Sequence, residues 1–321
     1  MKKYTDFVSL FENYYAQQKF NERYDIYRAM NYIMAMPSKR VRPALTLMAC
    51  ELFGGKAKTA LQAAAAIELY HNSTLVHDDI MDKAEQRRGN PTVHKVYGNN
   101  VAINTGDVMF MQSYRFLLQT KRGNVHELTS LFNDAVLKVI EGQSLDMEFE
   151  TTSEISEADY LKMIEGKTAV LLAAALQMGA WVADADKKSQ KSIYKFGVNL
   201  GLSFQIQDDY LDAFGDGKKT GKAVGGDIVL NKKTLLLVKA LELGNNKQKQ
   251  KIKVLLSEKN KSKKVTEMQQ LITETGAKQY AEKLIDSYYQ KALNHLGKID
   301  VKNEKKQALA DLAEMLRFRE K

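Results

Sequence analysis

The sequence contains few of the residues that cross-link or interrupt a chain. Its 321 residues include one cysteine, Cys50, and three prolines, Pro37, Pro43 and Pro91. A lone cysteine excludes an intrachain disulfide, so we expect a reducing compartment. Proline ends or kinks helices, and its absence after position 91 favours helical structure there. The composition therefore predicts a helical chain without cross-links.

Long apolar segments are also scarce. The most apolar run, "TAVLLAAALQMGAWVA" (168–183), is bounded by Lys167 and Asp184 and is shorter than the roughly 20 residues that a membrane-spanning helix needs. It predicts a buried core helix. The N-terminal "MKKYTDFVSLFENYY" carries acidic residues where a secretory signal would be apolar. We therefore expect a cytoplasmic protein with no stable membrane association.

The formal net charge is +9, and much of the excess lies late in the chain. The segment "NNKQKQKIKVLLSEKNKSKK" (245–264) is rich in lysine but contains no arginine and no aromatic residue. A nucleic-acid site typically combines arginine with interleaved aromatic side chains. We interpret the segment as a solvated helix face and loop, and we expect no nucleic-acid partner.

Apolar residues recur at helical spacing through most of the chain. No strand-like alternation bounded by turn residues occurs, and no linker of low complexity marks a domain boundary. The pattern favours one all-α domain. It predicts long helices over about 100–119, 125–149, 157–182 and 188–213, with shorter ones through 231–320.

Two clusters of aspartates share the spacing D-D-x-x-D, and each ends an apolar segment. They lie in "LVHDDIMDKAEQRRG" (75–89) and "FQIQDDYLDAFGD" (204–216). On a helix, like charges at this spacing cost about 0.2–0.5 kcal/mol per pair, so two such clusters indicate a bound cation. A glycine-containing basic segment, suited to a phosphate, follows each cluster. The clustered residues are Asp78, Asp79, Asp82, Asp208, Asp209 and Asp212.

The kind of ligand can be specified further. Carboxylates are hard oxygen ligands, and Mg²⁺ takes a few of them together with waters and phosphate oxygens. The sequence has no Cys/His spacing typical of zinc, no P-loop, and no G-x-G-x-x-G after a strand. These features predict a diphosphate bound through Mg²⁺, and they disfavour a nucleotide.

With further elements in the same order, the clusters resemble the trans-isoprenyl diphosphate synthases, the polyprenyl synthase family that includes farnesyl and geranylgeranyl diphosphate synthases. The resemblance covers about residues 37–240. It rests on "SKRVRP" (38–43), "HNSTLVHDDIMDKAEQRRG" (71–89), "GQSLD" (142–146), "GKTA" (166–169), "FQIQDDYLD" (204–212), "TGK" (220–222) and "GGDIVLNKK" (225–233). It implies a single domain over residues 1–321, with about ten or more mostly antiparallel helices around a central active-site cavity, the isoprenoid synthase type I fold.

The resemblance also implies an activity and partners. Such enzymes condense isopentenyl diphosphate with an allylic diphosphate by ionisation, condensation and elimination, which lengthens the product by five carbons. Mg²⁺, three ions when the allylic diphosphate is bound, and basic side chains stabilise the leaving diphosphate. No strong protein base is needed. A homodimer is a further expectation from the family.

Residue roles follow from the matching positions. The implied metal ligands are Asp78, Asp82 and Asp208. The aspartates implied to act next to them, through water, are Asp79, Asp209 and Asp212. The implied clamp on the allylic diphosphate consists of Arg87, Lys167, Lys222 and Lys232. The residues implied to line the space where the allylic cation forms are Thr168, Gln205 and Asp209. Gln143 and Asp146, three residues apart on the helix predicted over 125–149, are expected to support the metal site.

A second pocket, for isopentenyl diphosphate, needs no metal in the family. It is implied to consist of Lys39, Arg42, His71 and Arg88. His71 precedes Asp78 by seven residues, two turns along the same helix face. The adjacent arginines Arg87 and Arg88 are expected to contact different substrates, which explains why they occur as a pair.

Two positions near Lys39 stand apart from this scheme. Ser38 occupies a position at which the family has glycine, which affects the expected geometry of the loop. Arg40 has no implied role, and we interpret it as a member of a surface ion pair.

Product length is expected to depend on the helix before Asp78. In the family, the residues four and five positions before the first aspartate form the floor of the product channel, and here they are the small Thr74 and Ser73. Tyr70 occupies the next turn and is expected to stop growth at the C20 product, geranylgeranyl diphosphate. Farnesyl diphosphate (C15) and products of C25 and above remain alternatives, the latter if Tyr70 packs outward and leaves room beside 63–66.

Two other classes of protein share some of these features. A class I terpene cyclase also uses an aspartate-rich helix, but it usually carries an N-S-E-like second motif, whereas this chain repeats D-D-x-x-D. A non-catalytic subunit of a prenyl synthase tends to lose the acidic residues that this chain keeps. A catalytic prenyltransferase is therefore the expected function.

Overall fold

Helices make up nearly all of the regular structure that is described. A computed structural model describes residues 2–121, 124–215 and 224–318. The first helices are α1 (Tyr4–Tyr15), α2 (Asp25–Ala35), α3 (Val41–Leu52), a 3₁₀ turn (Ala57–Ala60), α4 (Leu61–Met81), α5 (Val93–Tyr97), α6 (Asn99–Leu118) and α7 (Val125–Thr151). The others are α8 (Glu157–Ile164), a π-helical turn (Glu165–Ala169), α9 (Val170–Val182), α10 (Lys187–Phe214), α11 (Gly226–Val229), α12 (Leu235–Leu243), α13 (Asn246–Leu256), α14 (Lys261–Glu274), α15 (Ala277–Gly297) and α16 (Asn303–Arg317). The predicted all-α class is confirmed.

A two-residue hairpin interrupts the helices after α4. Strands β1 (Gln86–Arg87) and β2 (Asn90–Pro91) pair antiparallel. The turn residues Arg88 and Gly89 have φ of 53° and 76°. Positive φ at both central positions is typical of a type I′ turn, which matches the twist of a hairpin. The sequence predicted a break in the helices here but not the hairpin.

The predicted long helices agree with the structure, with one exception. Helices α6, α7 and α10 begin and end within a few residues of the predicted bounds. The helix predicted over 157–182 is instead divided by the π-helical turn Glu165–Ala169. Turns of this kind occur mostly as single insertions in α-helices and often at functional sites.

The chain forms two compact units. The first comprises Met1–Asp134, Ala174–Tyr194 and Asp300–Leu309, and the second comprises Ala135–Ala173, Lys195–Ile299 and Ala310–Lys321. That residues 1–321 form a single domain stays a prediction.

In the first unit, α4 occupies the core. Every residue from Ala63 to Tyr70 is buried, and all of them except Glu68 are apolar, as expected for a helix in the core. Helix α6 packs closely on α4 because Gly106 lies against His77, where a Cβ would stand 2.1 Å from the imidazole Nε2. This packing fixes the position of α4, and therefore of residues 71–81, which follow its buried segment.

The core of the second unit is built from α8, α10 and the helices after residue 234. Its buried residues include Tyr160, Leu202, Ile206, Leu235, Ile252, Leu271 and Ile285. Local caps fix where two of these helices begin. Ser156 accepts a hydrogen bond from the Asp159 backbone at 3.1 Å, and Asn245 accepts one from Gln248 at 3.0 Å, as capping residues do.

The apolar run 168–183 lies within α9 and its flanks, and all of α9 except Gln177 is buried. This confirms the predicted core helix. None of the described helices has the length and apolar character needed to cross a membrane.

The lysine-rich segment 245–264 is largely solvated, with one correction. Lys251 and Lys253 pair with Glu267 and Glu154 at 3.2 and 3.1 Å. Lys264 is buried instead, and its Nζ donates to the carbonyls of Val229 and Leu256, both at 3.2 Å. The prediction of a solvated face was therefore wrong for Lys264, which ties the start of α14 to its neighbours.

Candidate active site

Two aspartates lie one turn apart at the end of α4. Asp78 is half-buried in the last turn, and Asp82 is exposed and caps the helix, its backbone N–H donating to the carbonyl of Asp78 at 2.8 Å. The C-terminus of a helix carries a partial negative charge. Carboxylates there are unfavourable without a cation, so the position suits a bound metal ion.

Asp79, between them, is engaged by the protein itself. It is 1% exposed, and the Arg87 guanidinium donates to both of its oxygens. Nε lies 3.0 Å from Oδ1 and 3.2 Å from Oδ2, and Nη2 lies 2.5 Å from Oδ1. A charge-assisted fork of this kind is among the stronger hydrogen-bond arrangements. Asp79 therefore orients Arg87 and is poorly placed to ligate a metal directly.

A basic cluster surrounds His71. The Arg42 Nη1 lies 3.0 Å from the His71 Nε2. A guanidinium can only donate, so Nε2 accepts and the proton of the neutral ring resides on Nδ1. Burial, and then Arg42 and Arg88, hold the pKa of His71 well below its usual range. Among the described residues, the buried Arg42 Nε has no hydrogen-bond partner, which indicates a site for an anion.

Arg88 reaches this cluster from the hairpin turn. Its left-handed φ of 53° is uncommon for a residue with a side chain, and such conformations are often found at functional sites. Its Nη1 donates to Asn72 Oδ1 at 3.4 Å, whereas Arg87 contacts Asp79. The two adjacent arginines therefore have different protein partners, and that they contact different substrates stays a prediction.

The loop that carries Lys39 is held from both sides. The Tyr4 hydroxyl donates to the Lys39 carbonyl, and the Arg40 N–H donates to the Ser38 hydroxyl at 3.3 Å. Arg40 itself has a left-handed φ of 47°. The serine that replaces the family glycine thus stabilises the loop by accepting a backbone hydrogen bond.

Arg40 is not on the surface, and the interpretation as a surface ion pair was wrong. It is 5% exposed, and its Nη1 lies 2.9 Å from Oε1 of Glu68, which is 2% exposed. Its Nη2 donates to the Met34 carbonyl, and its Nε lies 3.2 Å from Glu12. This burial has no signal in the sequence, because each partner of the guanidinium is at least six residues away in the chain.

The residues expected to set product length lie on the buried part of α4. Ser73 and Thr74 donate their hydroxyls to the carbonyls of Tyr70 and His71, at 2.7 and 2.8 Å. The Tyr70 ring is buried against Phe110 and Phe132, with centroid distances of 5.6 and 5.7 Å. Tyr70 is therefore fixed in an aromatic cluster and does not point into solvent.

In the second unit, several predicted residues line one cavity of about 100 Å³. The predicted residues that line it are Asp146, Lys167, Thr168, Gln205, Asp209 and Lys232. The sequence did not single out Tyr160 and Asp227, which also line it. A tyrosine at a helical core position carries no distinguishing pattern, although Asp227 falls within the quoted "GGDIVLNKK".

A chain of hydrogen bonds crosses this cavity wall. Thr168 donates to Gln205 at 2.9 Å, Gln205 donates to Asp209 Oδ1 at 2.9 Å, and the Tyr160 hydroxyl donates to Asp209 Oδ2 at 2.7 Å. Burial and, next, the charge of Asp227 raise the pKa of Asp209 to about 7. Both oxygens of Asp209 are thus occupied by the protein.

The π-helical turn presents Lys167. Its Nζ lies 2.5 Å from Asp146 Oδ2. The turn packs directly on α7, because a Cβ on Gly142 would stand 2.2 Å from the Lys167 nitrogen and one on Gly166 would stand 2.8 Å from the Lys138 carbonyl. Two glycines therefore allow the backbone contact that places Lys167 and Thr168.

The remaining residues of the second motif have distinct surroundings. Asp208 is half-buried on α10. Asp212 Oδ2 accepts from the Asp227 N–H at 2.9 Å, and Lys232 Nζ lies 3.9 Å from Asp227 Oδ1. Lys222 lies outside the described residues, so its predicted role as a clamp has no structural counterpart here.

Comparison with known proteins identifies the family of this chain. The sequence profile of the polyprenyl synthetase family matches residues 24–275. The chain therefore belongs to the polyprenyl synthetase family, and it is a prenyltransferase with the isoprenoid synthase fold.

Similar proteins include synthases of several products. A geranylgeranyl diphosphate synthase from Sulfolobus acidocaldarius is 38% identical over 283 residues, which cover 87% of this chain and 86% of that protein. A short chain isoprenyl diphosphate synthase from Methanocaldococcus jannaschii is 41% identical over 236 residues, 73% of this chain and 72% of that one. A crystal structure of a geranylgeranyl pyrophosphate synthase superimposes with a TM-score of 0.95 at 40% identity and covers 99% of both chains.

The family uses Mg²⁺, and the carboxylates present fit that ion. In the described part of the chain, no three His, Cys, Asp or Glu side chains are grouped to hold a metal ion. Mg²⁺ does not need such a cage, since it keeps several waters and binds substrate phosphates. The donor set, hard oxygens of Asp78 and Asp82 at a helix terminus, is the chemistry that it prefers.

Proposed function

We propose that the chain condenses isopentenyl diphosphate with allylic diphosphates to give geranylgeranyl diphosphate. The observation that supports a C20 product is the order of small and large side chains along α4. The small Ser73 and Thr74 lie nearest the aspartates, and the buried ring of Tyr70 follows one turn deeper. A turn rises about 5.4 Å, close to one isoprene unit. Geranylgeranyl synthases among the similar proteins support this product length.

We assign the Mg²⁺ ions, three with the allylic diphosphate bound, to Asp78, Asp82 and Asp208. Bound Mg²⁺ would neutralise the charge that develops on the leaving diphosphate. The other three aspartates act next to these ligands. Asp79 accepts hydrogen bonds from Arg87. Asp209 accepts them from the Tyr160 hydroxyl and the Gln205 amide, and Asp212 accepts one from the backbone N–H of Asp227. Their existing partners support this division.

The allylic diphosphate is clamped by Arg87, Lys167, Lys222 and Lys232 in this proposal. Lys167 would exchange its ion pair with Asp146 for one with the diphosphate, and Asp146 would then support the metal site. Thr168 and Gln205 face the reacting carbon as a polar, uncharged pair that does not trap the cation. The C–O bond of the allylic diphosphate breaks, and the double bond of isopentenyl diphosphate attacks the cation. The departing diphosphate takes the proton that is lost.

The second diphosphate binds to Lys39, Arg42, His71 and Arg88. The buried Arg42 Nε without a partner among the described residues and the Nδ1 proton of His71 supply donors for it. Because His71 is neutral, it adds a hydrogen bond without adding to the repulsion among the arginines. A pocket of this composition distinguishes a synthase from a terpene cyclase, which handles one diphosphate.

The proposal is tested by incubating the purified chain with Mg²⁺ and dimethylallyl, geranyl or farnesyl diphosphate, each with and without isopentenyl diphosphate. We expect elongation to C20 and dependence on isopentenyl diphosphate. Diphosphate release without isopentenyl diphosphate would indicate a cyclase. Inactivity of the chain alone, with activity restored by a second protein, would indicate a non-catalytic subunit.

Replacing Tyr70 by alanine is expected to shift the main product from C20 to longer chains. The substitution opens the turn below Ser73, and beyond residues 67–69 toward the start of α4 lie the small Ala63–Ala66. Products are dephosphorylated and separated by reversed-phase chromatography. Tyr70→Phe keeps the ring and is expected to keep C20. An unchanged distribution in Tyr70→Ala would show that another residue forms the floor.

We also propose that the chain is a homodimer. Helix α6 exposes Ile103, Met111 and Leu118 along one face, and α7 exposes Leu137, Ile140 and Met147 along one face. Rows of exposed apolar side chains commonly mark protein–protein contacts. Light scattering on the purified chain measures its mass in solution directly. A cytoplasmic location stays a prediction.

A further inference from the structure

A buried carboxylate lies within the basic cluster of the first unit. Glu68 belongs to α4, three residues before His71, and no substrate role follows for it from the sequence. Arg40 donates to Glu68 Oε1 at 2.9 Å, and Asn72 Nδ2 donates to the same oxygen at 3.2 Å. A buried carboxylate is strongly unfavourable unless charged and polar partners compensate its desolvation. Glu68 has such partners in Arg40 and Asn72, which lie next to the basic cluster around His71.

The first consequence is a fixed orientation of the Asn72 amide. Asn72 is fully buried, and its Nδ2 also donates to the Glu68 backbone carbonyl at 2.8 Å. An ionised carboxylate and a carbonyl can only accept. The NH₂ group of Asn72 must therefore face Glu68, which leaves Oδ1 to accept from Arg88 Nη1 at 3.4 Å. Glu68 thus selects the amide orientation that holds Arg88.

The second consequence concerns charge. Burial lowers the pKa of Arg42 to about 10 and also lowers the pKa of Arg88, while the charge of Glu68 raises both. The charge of Arg88 lowers the pKa of Arg42, and the charge of Arg40 lowers the pKa of Arg88, as expected for guanidiniums in one cluster. The negative charge of Glu68 favours the charged form of Arg42 and Arg88 and pairs directly with Arg40. Without Glu68, the repulsion among the arginines would not be compensated in the absence of a diphosphate.

We propose that Glu68 is a positioning residue of the second diphosphate pocket. It orients Arg88 through the Asn72 amide and keeps Arg40, Arg42 and Arg88 together by its charge, and it does not touch the substrate. The proposal rests on the proposed function, in which Arg42, His71 and Arg88 bind isopentenyl diphosphate.

The test is Glu68→Gln, which keeps the shape, removes the charge and adds a donor that competes with Asn72. Steady-state rates are measured with each substrate varied in turn. The KM for isopentenyl diphosphate is expected to rise about tenfold, the effect of weakening one charge-assisted contact, while the KM for the allylic diphosphate stays within about twofold. A merely structural role would not separate the two substrates. An unchanged KM for isopentenyl diphosphate, or equal rises for both, would overturn the proposal.

Glu12→Gln is the matched control. Glu12 is the other carboxylate on Arg40, but it is 53% exposed, so the same chemical change is expected to leave both KM values within about twofold. Equal selective effects in Glu12→Gln and Glu68→Gln would assign the effect to Arg40 alone and overturn the role of Glu68.

Asn72→Ala decides the matter if Glu68→Gln does not fold. It keeps the Arg40–Glu68 pair and removes the amide that connects Glu68 to Arg88. A selective rise in the KM for isopentenyl diphosphate supports the proposal, and unchanged KM values overturn it. Failure of the proposed function would look different, because the unaltered chain would then not consume isopentenyl diphosphate with any allylic starter.

Discussion

Turnover is expected to fall about 10³-fold when Asp78 or Asp208 is replaced by alanine. Each change removes a proposed Mg²⁺ ligand, and coordination of the leaving diphosphate contributes several kcal/mol to the transition state. A loss of about 4 kcal/mol corresponds to a factor of about 10³ in rate. The measurement is kcat at saturating substrates over a range of Mg²⁺ concentrations. A chelator should abolish the residual activity, and added Mg²⁺ should restore it.

Asp286→Ala provides the matched control for these variants. Asp286 is also helical, but it is 61% exposed and pairs with Arg317. Its removal is expected to leave kcat within about twofold and circular dichroism unchanged, because exposed ion pairs contribute little. Near-normal turnover in Asp78→Ala or Asp208→Ala, with Mg²⁺ dependence intact, would contradict the metal assignment.

The helices of this chain were predictable because their signals are local. Helix α10 is a continuous periodic segment, and the break before α8 is marked by Ser156 and Asp159, three residues apart. The π-helical turn was not predictable in the same way. It depends on the contact between Gly142 and Gly166, which are 24 residues apart and meet only in the folded unit.

In the candidate site, too, features that depend on neighbouring residues were predictable, and features that depend on distant residues were not. The D-D-x-x-D motifs and the pair Arg87–Arg88 are visible in sequence because their members are neighbours. Which aspartates are engaged by the protein is not visible, since Asp209 depends on Tyr160, 49 residues earlier. The burial of Arg40 was not predictable for the same reason. An arginine in a short loop is usually exposed, and only the folded chain places Glu68 beside it.

Arg40→Met should therefore be strongly destabilising, although it lies in a loop. Methionine fills a similar volume but leaves Glu68, 2% exposed, without its ion-pair partner. Removing one member of a buried pair typically costs about 3–5 kcal/mol, because the other charge stays in the interior uncompensated. The free energy of unfolding, measured by urea denaturation followed by circular dichroism, is expected to fall by that amount.

Two further variants separate the buried charge from other effects of the substitution. Arg28→Met removes a similar pair with Asp25, but both side chains are about half exposed, at 47% and 54%, so a loss below about 1 kcal/mol is expected. Combining Arg40→Met with Glu68→Leu replaces the whole pair by apolar groups, which is often close to neutral in other proteins. The double variant should therefore recover most of the lost stability. If Arg40→Met costs no more than Arg28→Met, the Arg40–Glu68 pair does not stabilise the first unit.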